Sequence, residues 1–341
     1  MKKVLIVLLL LIAIGAGGAL FYVNSIGQPY DPGNTESISV EIPEGTGASA
    51  IGEILEQNGI IESAFKFKLF LKFSRFSDVM KAGTYMLSPS MSMEEIVQKL
   101  VENKVETMSF TVPEGLTLDQ TARKLADQGM GDYETFLYEM QNGQFNYPWL
   151  QENSLEGYLF PNTYSVPTDY TEHDIINTML AQFEVSVMSL YEESGSSVKQ
   201  ELTLIEILAA ASVIERECKV DDERPKVASV IYNRMHQGIK LEMCSTVQYI
   251  LLQTTGEVKE DLTYADMAIE SPYNTYLHFG LPPGPICNPG LASIKAALEP
   301  ADTDYLYFVL SARLDGTSEF TSSYSEFLKY KDAYWAAHSG N

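Results

Sequence analysis

The chain has 341 residues, of which 45% are hydrophobic and 11% aromatic. This content is enough to bury apolar cores in two or three compact units, and it excludes a largely disordered protein. The formal net charge of −23 repels phosphate backbones and no basic cluster interrupts it, so nucleic acid is excluded as a partner.

The N-terminal segment is long and apolar enough to be a membrane span. Residues 4–23 carry no charge and would extend about 30 Å as a helix, the thickness of a hydrocarbon core. Because Lys2 and Lys3 precede it, the positive-inside rule predicts a cytoplasmic N-terminus and an extracytoplasmic remainder. A cleaved signal peptide is the alternative, but the apolar length favours a retained single-pass anchor in the cell membrane over residues 1–24.

A short linker and a small module follow the predicted anchor. Residues 25–37 contain two prolines and two glycines and few apolar groups, which is typical of a linker. From residue 38 the pattern predicts a strand, a Pro-Glu-Gly turn and a helix. A second strand is predicted over 82–87, followed by a helix that Ser92 and Glu95 open with a capping box. We predict a small α+β module over 38–108.

The strand, turn and helix pattern occurs twice. Pro43, Glu44 and Gly45 in the first copy correspond to residues 113–115 in the second, and a leucine and a glycine follow at the same spacing in both copies. Two copies indicate a duplicated unit, not a solenoid. We predict that residues 109–341 form a second, mixed α+β region.

A long apolar segment in this second region ends in acids. Thr203 and Glu206 form a capping box, and the helix that they open is apolar on nearly all sides as far as Ile214, so we predict that it is buried. At its C-terminal end, burial and the helix dipole both disfavour a charged carboxylate on Glu215, which suits a general acid. Glu217 lies on the opposite face, so the two acids cannot act as a pair. The alternative interpretation is that Glu215 and Glu217 are ordinary polar residues in the last turn of the helix.

A second helix is predicted to begin at residues 223–225 and to form a hairpin with the first, with Glu215 at its turn.

Two other segments have the composition of a sugar-binding surface. Residues 271–298 form a long loop rich in proline, glycine and tyrosine that leads into a helix, and residues 155–164 have a similar mixture. Tyrosine and asparagine supply the flat apolar faces and hydrogen-bonding edges that sugars require. Tyrosine-rich turns packed on a core are the alternative.

The cysteines and histidines form no pattern of a metal or disulfide framework. Cys218, Cys244 and Cys287 are too few and too far apart in sequence for a stapled scaffold. A single disulfide between Cys244 and Cys287 and three buried thiols are both compatible with the sequence. The four histidines have no metal-ligand spacing, so we expect no metal and no cofactor.

These segments together resemble the YceG-like family of endolytic murein transglycosylases. The motifs occur in the family's order: EGYLFPNTY at 156–164, ASVIERE at 211–217, VASVIYNR at 227–234, TVQY at 246–249, YNTY at 273–276, GLPPGPICNPG at 280–290 and YLYFV at 305–309. The resemblance covers nearly all of the chain after the linker. It implies a LysM-like subdomain at 38–108 and a YceG-like catalytic domain at 109–341, whose helical hairpin carries the catalytic glutamate.

The resemblance also implies an activity and a site. The family cuts the glycan strands of peptidoglycan at the membrane surface, and its catalytic glutamate corresponds to Glu215. We expect cleavage of the β-1,4 bond between MurNAc and GlcNAc within strands, 1,6-anhydro-MurNAc ends, and a role in ending nascent strands beside peptidoglycan synthases. The residues expected to bind substrate or shape the cleft are Tyr273, Asn274, Thr275, Tyr276, Glu156, Tyr158, Tyr164 and Asn233.

The chain departs from the family pattern at two places, and other functions stay open. Cys244 and Ser245 stand where many members have aspartate and proline, and Asn162 stands where members often have aspartate, so no carboxylate role transfers to these positions. The alternatives are an anchored glycan-binding protein without catalysis and a murein hydrolase that leaves reducing ends, with Glu156 as its second carboxylate. A redox or metal protein would need the three cysteines to converge near Glu215.

Overall fold

The computed structural model describes residues 26–43, 45–74, 80–102, 107–150 and 154–339. It is mixed α+β, as predicted, with two-stranded sheets among many helices. The chain divides into two units, residues 1–109 with 165–169 and residues 110–164 with 170–341. Among the described residues no helix is both long and apolar enough to cross a bilayer. The predicted anchor over residues 1–24 lies outside the described residues.

The first unit contains a small sheet and three helices around one core. Strand β1 (Ile38–Ile42) pairs antiparallel with β2 (Gly83–Leu87), and α1 (Ala48–Gln57), α2 (Ala64–Phe73) and α3 (Met93–Glu102) complete the unit. The predicted capping box before α3 is confirmed, because the Ser92 N–H donates to Glu95 Oε2 at 2.8 Å. The buried apolar side chains that alternate along the strands and recur on one helix face include Val40, Ile42, Ile51, Leu55, Phe67, Tyr85, Leu87, Ile96 and Leu100.

The predicted repeat is confirmed by the backbone. Strand β3 (Thr107–Val112) is followed by α4 (Leu118–Asp127), as β1 is followed by α1, and both helices have 10 residues. Gly45 and Gly115 have φ angles of 78° and 79°, a left-handed conformation that glycine adopts without strain. The glycines after the two helices, Gly59 and Gly129, also match, at 71° and 75°. The two copies therefore share the turn and the helix end.

The rest of the chain, which includes most of the second unit, is mostly helical. In chain order its elements are α5 (Tyr133–Asn142), β4 (Asn162–Pro167, paired with β3), α6 (Glu172–Phe183), α7 (Ser189–Glu193), α8 (Leu204–Glu217), α9 (Arg224–His236), α10 (Cys244–Thr255), α11 (Tyr264–Met267), α12 (Leu291–Leu298), β5 (Tyr307–Leu310), β6 (Ser318–Thr321) and α13 (Tyr324–Ser339). The helix predicted over 172–193 is interrupted by a π-helical turn at Glu184–Met188. Strands β5 and β6 pair antiparallel.

Helix α8 forms the centre of the second unit, as its sequence predicts. Every residue from Ile207 to Ile214 is buried, and α8 packs against α9, α10 and α12. The capping box is confirmed, because the Thr203 N–H donates to Glu206 Oε2 at 2.8 Å. Pro225 occupies the first turn of α9, so the predicted hairpin forms with Glu215 near its turn.

The cysteines are free. Cys218 and Cys287 are buried and Cys244 is exposed, so the disulfide alternative is wrong and the alternative of buried thiols holds for two of the three. No three His, Cys, Asp or Glu side chains are grouped as metal ligands in the described part of the chain.

Candidate active site

Glu215 lies in the last turn of α8, and its side chain is 8% exposed. Its Oε2 accepts hydrogen bonds from the Gly290 N–H at 3.0 Å and from the Ser293 hydroxyl at 2.7 Å. Nη1 of Arg224 lies 3.4 Å from the same oxygen. These donors fix the direction of the carboxyl group. The sequence predicted the burial of Glu215 and its place at a helix end, but it gave no indication of these three donors.

Arg224 is the cation of this site. Its side chain is 8% exposed; Nη1 donates to Ser293 Oγ at 2.5 Å and Nε donates to Asp221 Oδ1 at 3.0 Å. A buried guanidinium requires nearby acids, which Asp221 and Glu215 supply. Because Arg224 is the first residue of α9, the helical hairpin brings this charge to the end of α8.

The second Pro-Glu-Gly turn lies directly against the same acid. A Cβ added at Gly115 would lie 3.7 Å from Glu215 Cγ, and Arg216 Nη1 donates to the Gly115 carbonyl at 3.5 Å. Glu114 lies against Gly290, where an added Cβ would come within 2.0 Å of its Oε1. Burial, and next the charge of Glu215, raise the pKa of Glu114. The turn therefore brings a second carboxyl group to the site.

Asn288 joins this turn to the EGYLF segment. It is fully buried, and its Oδ1 accepts hydrogen bonds from the N–H groups of Gly157 at 2.9 Å and Leu159 at 3.1 Å. Its backbone N–H donates to the Leu116 carbonyl at 2.8 Å, and its carbonyl accepts from the Gly115 N–H at 2.9 Å. Its Nδ2 also donates to the Leu116 carbonyl, at 3.2 Å. One side chain thus connects three segments that are distant in sequence.

A shallow cleft adjoins the turn. Gly115 and Arg216, the neighbours of the two carboxyl groups, contribute to its wall. Its other polar or aromatic lining residues are Thr117, Gln120, Ser245, Gln248 and Tyr249. Ser245 Oγ is, within the described ranges, the one buried side-chain nitrogen or oxygen without a hydrogen-bond partner.

Glu156 is a buried acid at the base of α4. It is 7% exposed, and its carboxyl oxygens accept from the Leu118 N–H at 3.1 and 3.3 Å and from the Tyr249 hydroxyl at 3.5 Å. Burial raises its pKa to about 8, against the opposing effect of these two donors. Glu156 therefore caps the first turn of α4 and supports Tyr249 on the wall of the cleft.

Comparison with known proteins identifies the family. The model of the YceG-like family matches residues 40–333. This chain belongs to the YceG-like family. The endolytic murein transglycosylase of Bacillus subtilis (strain 168) is 35% identical over 337 residues, covering 93% of this chain and 90% of that protein. The one from Streptococcus pneumoniae R6 is 33% identical over 338 residues, covering 89% of this chain and 60% of that protein.

A solved structure agrees with this assignment. The crystal structure of a putative YceG-like protein from Listeria monocytogenes is 36% identical to this chain, with a TM-score of 0.57. The match covers 86% of this chain and 99% of that one. The YceG-like fold is therefore shared by the two proteins.

The YNTY segment of this YceG-like chain has a buried centre and partly exposed ends. Asn274 is fully buried, and its Nδ2 donates to the carbonyls of Met267 and Ile269 at 3.0 and 2.8 Å. Thr275 is buried, and its Oγ1 accepts from the Met243 N–H at 3.0 Å. Tyr273 and Tyr276 are half-buried. The segment thus presents its tyrosines outward and holds its own shape with the two residues between them.

The other predicted substrate-binding residues are largely internal. Tyr158 is buried in a stack with Trp149 and Phe183. Tyr164 is buried and donates to the Phe160 carbonyl. Asn233 Nδ2 donates to the carbonyls of Thr303 and Tyr305 at 2.8 and 3.0 Å. In this conformation these polar groups stabilise the fold, and their role in binding stays a prediction.

Several residues of the site were missed by sequence reasoning. Arg224 was interpreted as a helix start, and Glu114 as part of a repeated turn. Asn288 and Gly290 belong to the quoted GLPPGPICNPG motif, so a signal was present, but no local pattern links this motif to Glu215. Glu217 was interpreted correctly, because it accepts from the Ser245 N–H at 2.9 Å and so contacts a different segment from Glu215.

Replacement of Asn288 by alanine is expected to lower the free energy of unfolding by about 2–4 kcal/mol, because two buried N–H groups lose their acceptor. Chemical denaturation monitored by circular dichroism measures the change. Asn142→Ala is the matched control, since Asn142 is exposed and its Nδ2 contacts one carbonyl of its own helix. Equal effects of the two substitutions would contradict the structural role of Asn288.

The buried Glu156 is expected to make stability fall as the pH rises. Its folded pKa of about 8 lies above its usual 4.5, so between these values the folded state binds more protons than the unfolded state. Its stabilising contribution is therefore complete below about pH 4.5 and lost as the pH rises through about 8. We expect the melting temperature of the wild type to fall more than that of Glu156→Gln across this range. Parallel melting curves against pH would show that Glu156 is not protonated in the fold.

Proposed function

We propose that this chain is an endolytic lytic transglycosylase that cuts peptidoglycan glycan strands at the β-1,4 bond between MurNAc and GlcNAc. The observation that carries the proposal is Glu215, a carboxylate held by Gly290, Ser293 and Arg224 at the end of a buried helix. Family membership supports it, because the Bacillus subtilis and Streptococcus pneumoniae relatives are named endolytic murein transglycosylases.

The reaction needs proton transfer and no external nucleophile. The glycosidic oxygen gains a proton as its bond to C1 of MurNAc breaks, and the C6 hydroxyl of the same MurNAc attacks C1 and loses its proton. Because the nucleophile belongs to the substrate, its effective concentration is high and no water has to be activated. In the simplest form Glu215 performs both transfers, first as acid and then as base. The products are a free GlcNAc end and a 1,6-anhydro-MurNAc end.

The cleft beside Glu215 supplies polar contacts and an aromatic surface for sugars. Thr117, Gln120 and Gln248 line its wall and offer hydroxyl and amide groups. Tyr249 adds a ring to the wall and lies 5.0 Å from the ring of Tyr273, which connects the cleft to the YNTY segment. Stacking rings and amide edges are suited to the faces and hydroxyl groups of a glycan. Tyr273 and Tyr276 are accordingly the predicted residues that extend the binding surface.

The proposed setting is the outer face of the cell membrane. The apolar segment at residues 4–23 would anchor the chain with its N-terminus in the cytoplasm. Residues 38–108 would act as a LysM-like subdomain and residues 109–341 as the catalytic domain. An anchored enzyme of this kind cuts strands near their site of synthesis, which favours a role in ending nascent strands beside the synthases.

Replacement of Glu215 by glutamine is expected to reduce the rate of strand cleavage by about 10²- to 10⁴-fold, because the side chain keeps its shape and loses its proton chemistry. Release of fragments from purified murein measures the rate, and thermal melting verifies folding. Glu192→Gln, an exposed acid on α7, is the matched control.

Mass spectrometry of the products separates this function from its alternatives. Anhydro ends are expected. Reducing ends would identify a hydrolase, and murein that is bound and left uncut by the wild type would identify a glycan-binding protein.

A further inference from the structure

Helix α2 is an exception to the acidic charge of this chain. Its 10 residues, AFKFKLFLKF, include three lysines and no acid, while the whole chain has a formal net charge of −23. This basic helix was missed by sequence reasoning, which considered the charge of the chain as a whole. A local positive charge on an acidic protein indicates a surface that binds an anionic partner.

The helix has one buried face and one exposed face. Phe67 and Leu71 are buried in the core of the first unit. Phe65, Lys68 and Lys72 are exposed, and their spacing of three and four residues places them together on the other side of the helix. Phe65 is 69% exposed. The outer face thus combines an aromatic ring with two ammonium groups, which is typical of a helix that lies in a membrane interface.

The two outer lysines have no acid partner. Lys66 forms an ion pair with Glu62, and Glu56 Oε2 accepts from the first backbone N–H of α2 at 3.0 Å, so these acids contact the helix at its N-terminal end. Among the described residues no ion pair joins an acid to Lys68 or Lys72. Their charges are therefore available to an external anion.

The first unit is tied closely to the predicted membrane anchor. The apolar segment ends at Val23, and Ile26 is already buried, at 3% exposure. Three residues span at most about 10 Å, since each adds at most about 3.6 Å. The Gly27 carbonyl accepts from the Met93 N–H at 3.1 Å, and a Cβ added to Gly27 would lie 3.8 Å from Phe70 Cε2 of α2. The chain therefore packs against α2 directly after the anchor.

Residues 26–37, most of the predicted linker, are bound to the first unit. Ser88 Oγ donates to the Asn34 carbonyl at 2.9 Å. Tyr30 is 53% exposed, and it lines one small hollow together with Lys66, so a second exposed aromatic ring lies beside the N-terminal half of α2. Tyrosine is enriched at membrane interfaces. The linker thus holds α2 near the point where the anchor would leave the membrane.

We propose that the outer face of α2, formed by Phe65, Lys68 and Lys72, docks on the anionic lipid headgroups of the membrane that the apolar segment enters. The proposal rests on the membrane anchor of the proposed setting and adds a second contact between the first unit and the lipid. Attraction of lysines to an anionic surface falls off within a Debye length, about 10 Å at 0.1 M salt. The short connection to the anchor keeps α2 within this range, which favours lipid over a more distant anionic partner.

Phe65→Trp tests the docking in the full-length chain, reconstituted in nanodiscs of phosphatidylcholine and phosphatidylglycerol with brominated acyl chains. Compared with the wild type and its two native tryptophans, we expect the added emission to shift to shorter wavelength and to be quenched, because the indole ring enters the interface. Tyr138→Trp is the matched control. Tyr138 is 64% exposed on α5, a helix of the same length that carries acids and no basic residue. Its added emission should stay unquenched.

Reversal of two lysine charges tests the electrostatic part of the proposal. In the Phe65→Trp chain, Lys68→Glu with Lys72→Glu should lower the docking equilibrium constant at least about 25-fold, because each lysine at an anionic surface contributes about fivefold. The constant is measured by quenching against the fraction of phosphatidylglycerol. Lys329→Glu with Lys331→Glu, on exposed lysines of α13, changes the net charge equally and is the matched control. Raising the salt from about 0.1 M to about 1 M should also release the helix. Thermal melting verifies the fold of each variant.

The outcomes separate this proposal from the function on which it rests. Resistance of the wild type to alkaline carbonate extraction tests the anchor, and anhydro ends from murein test the activity. If both hold and the emission of Phe65→Trp stays unquenched, the docking is overturned and the proposed function stands. Emission at shorter wavelength without quenching would place this face against protein, and equal quenching in pure phosphatidylcholine would remove the role of the lysines; either result overturns the proposal. If carbonate extracts the wild type, the anchor fails, and the docking fails with it.

Discussion

The site depends on one buried amide, the side chain of Asn288. It satisfies two N–H groups of the EGYLF segment, while the backbone of the same residue is hydrogen-bonded to the second Pro-Glu-Gly turn. Two and five residues further on, Gly290 and Ser293 bind Glu215. A shift of Asn288 would move the turn that carries Glu114 and the donors that hold Glu215 together. Since unpaired buried N–H groups are costly, the fold has little freedom to relax this arrangement.

The electrostatics of the site follow from an excess of acidic over basic side chains. The chain as a whole has 23 basic and 46 acidic residues, and near Glu215 one buried arginine faces several acids. Elsewhere on the surface, water screens such an excess. At this site, burial and the neighbouring charge of Glu215 raise the pKa of Glu114, while Arg224 opposes the shift.

The sequence predicts much of the local structure and little of the assembly of the site. Caps at Ser92 and Thr203, the hairpin of α8 and α9 and the position of Glu215 follow from patterns within about 15 residues, and the structure confirms the elements. Asn274 and Thr275 show where prediction from the local sequence fails. Their types suit sugar contact, but Asn274 donates to carbonyls five and seven residues earlier and Thr275 accepts from Met243, 32 residues earlier, so their polar atoms are directed inward. Arg224 was likewise predicted to lie at the start of a helix, but its contact with Glu215 was not predicted from the sequence.

The repeated turn shows that local sequence does not set the surroundings of a carboxyl group. Both copies have the residues Pro-Glu-Gly, and their glycines have nearly identical φ angles of 78° and 79°. The surroundings of Glu114 come from distant segments: Asn288 binds the turn, Gly290 leaves space for its carboxyl group, and Glu215 and Arg224 set the local charge. The chemistry of this residue thus comes from a loop more than 170 residues away in sequence. Duplication supplies the turn, and long-range packing gives one copy its environment.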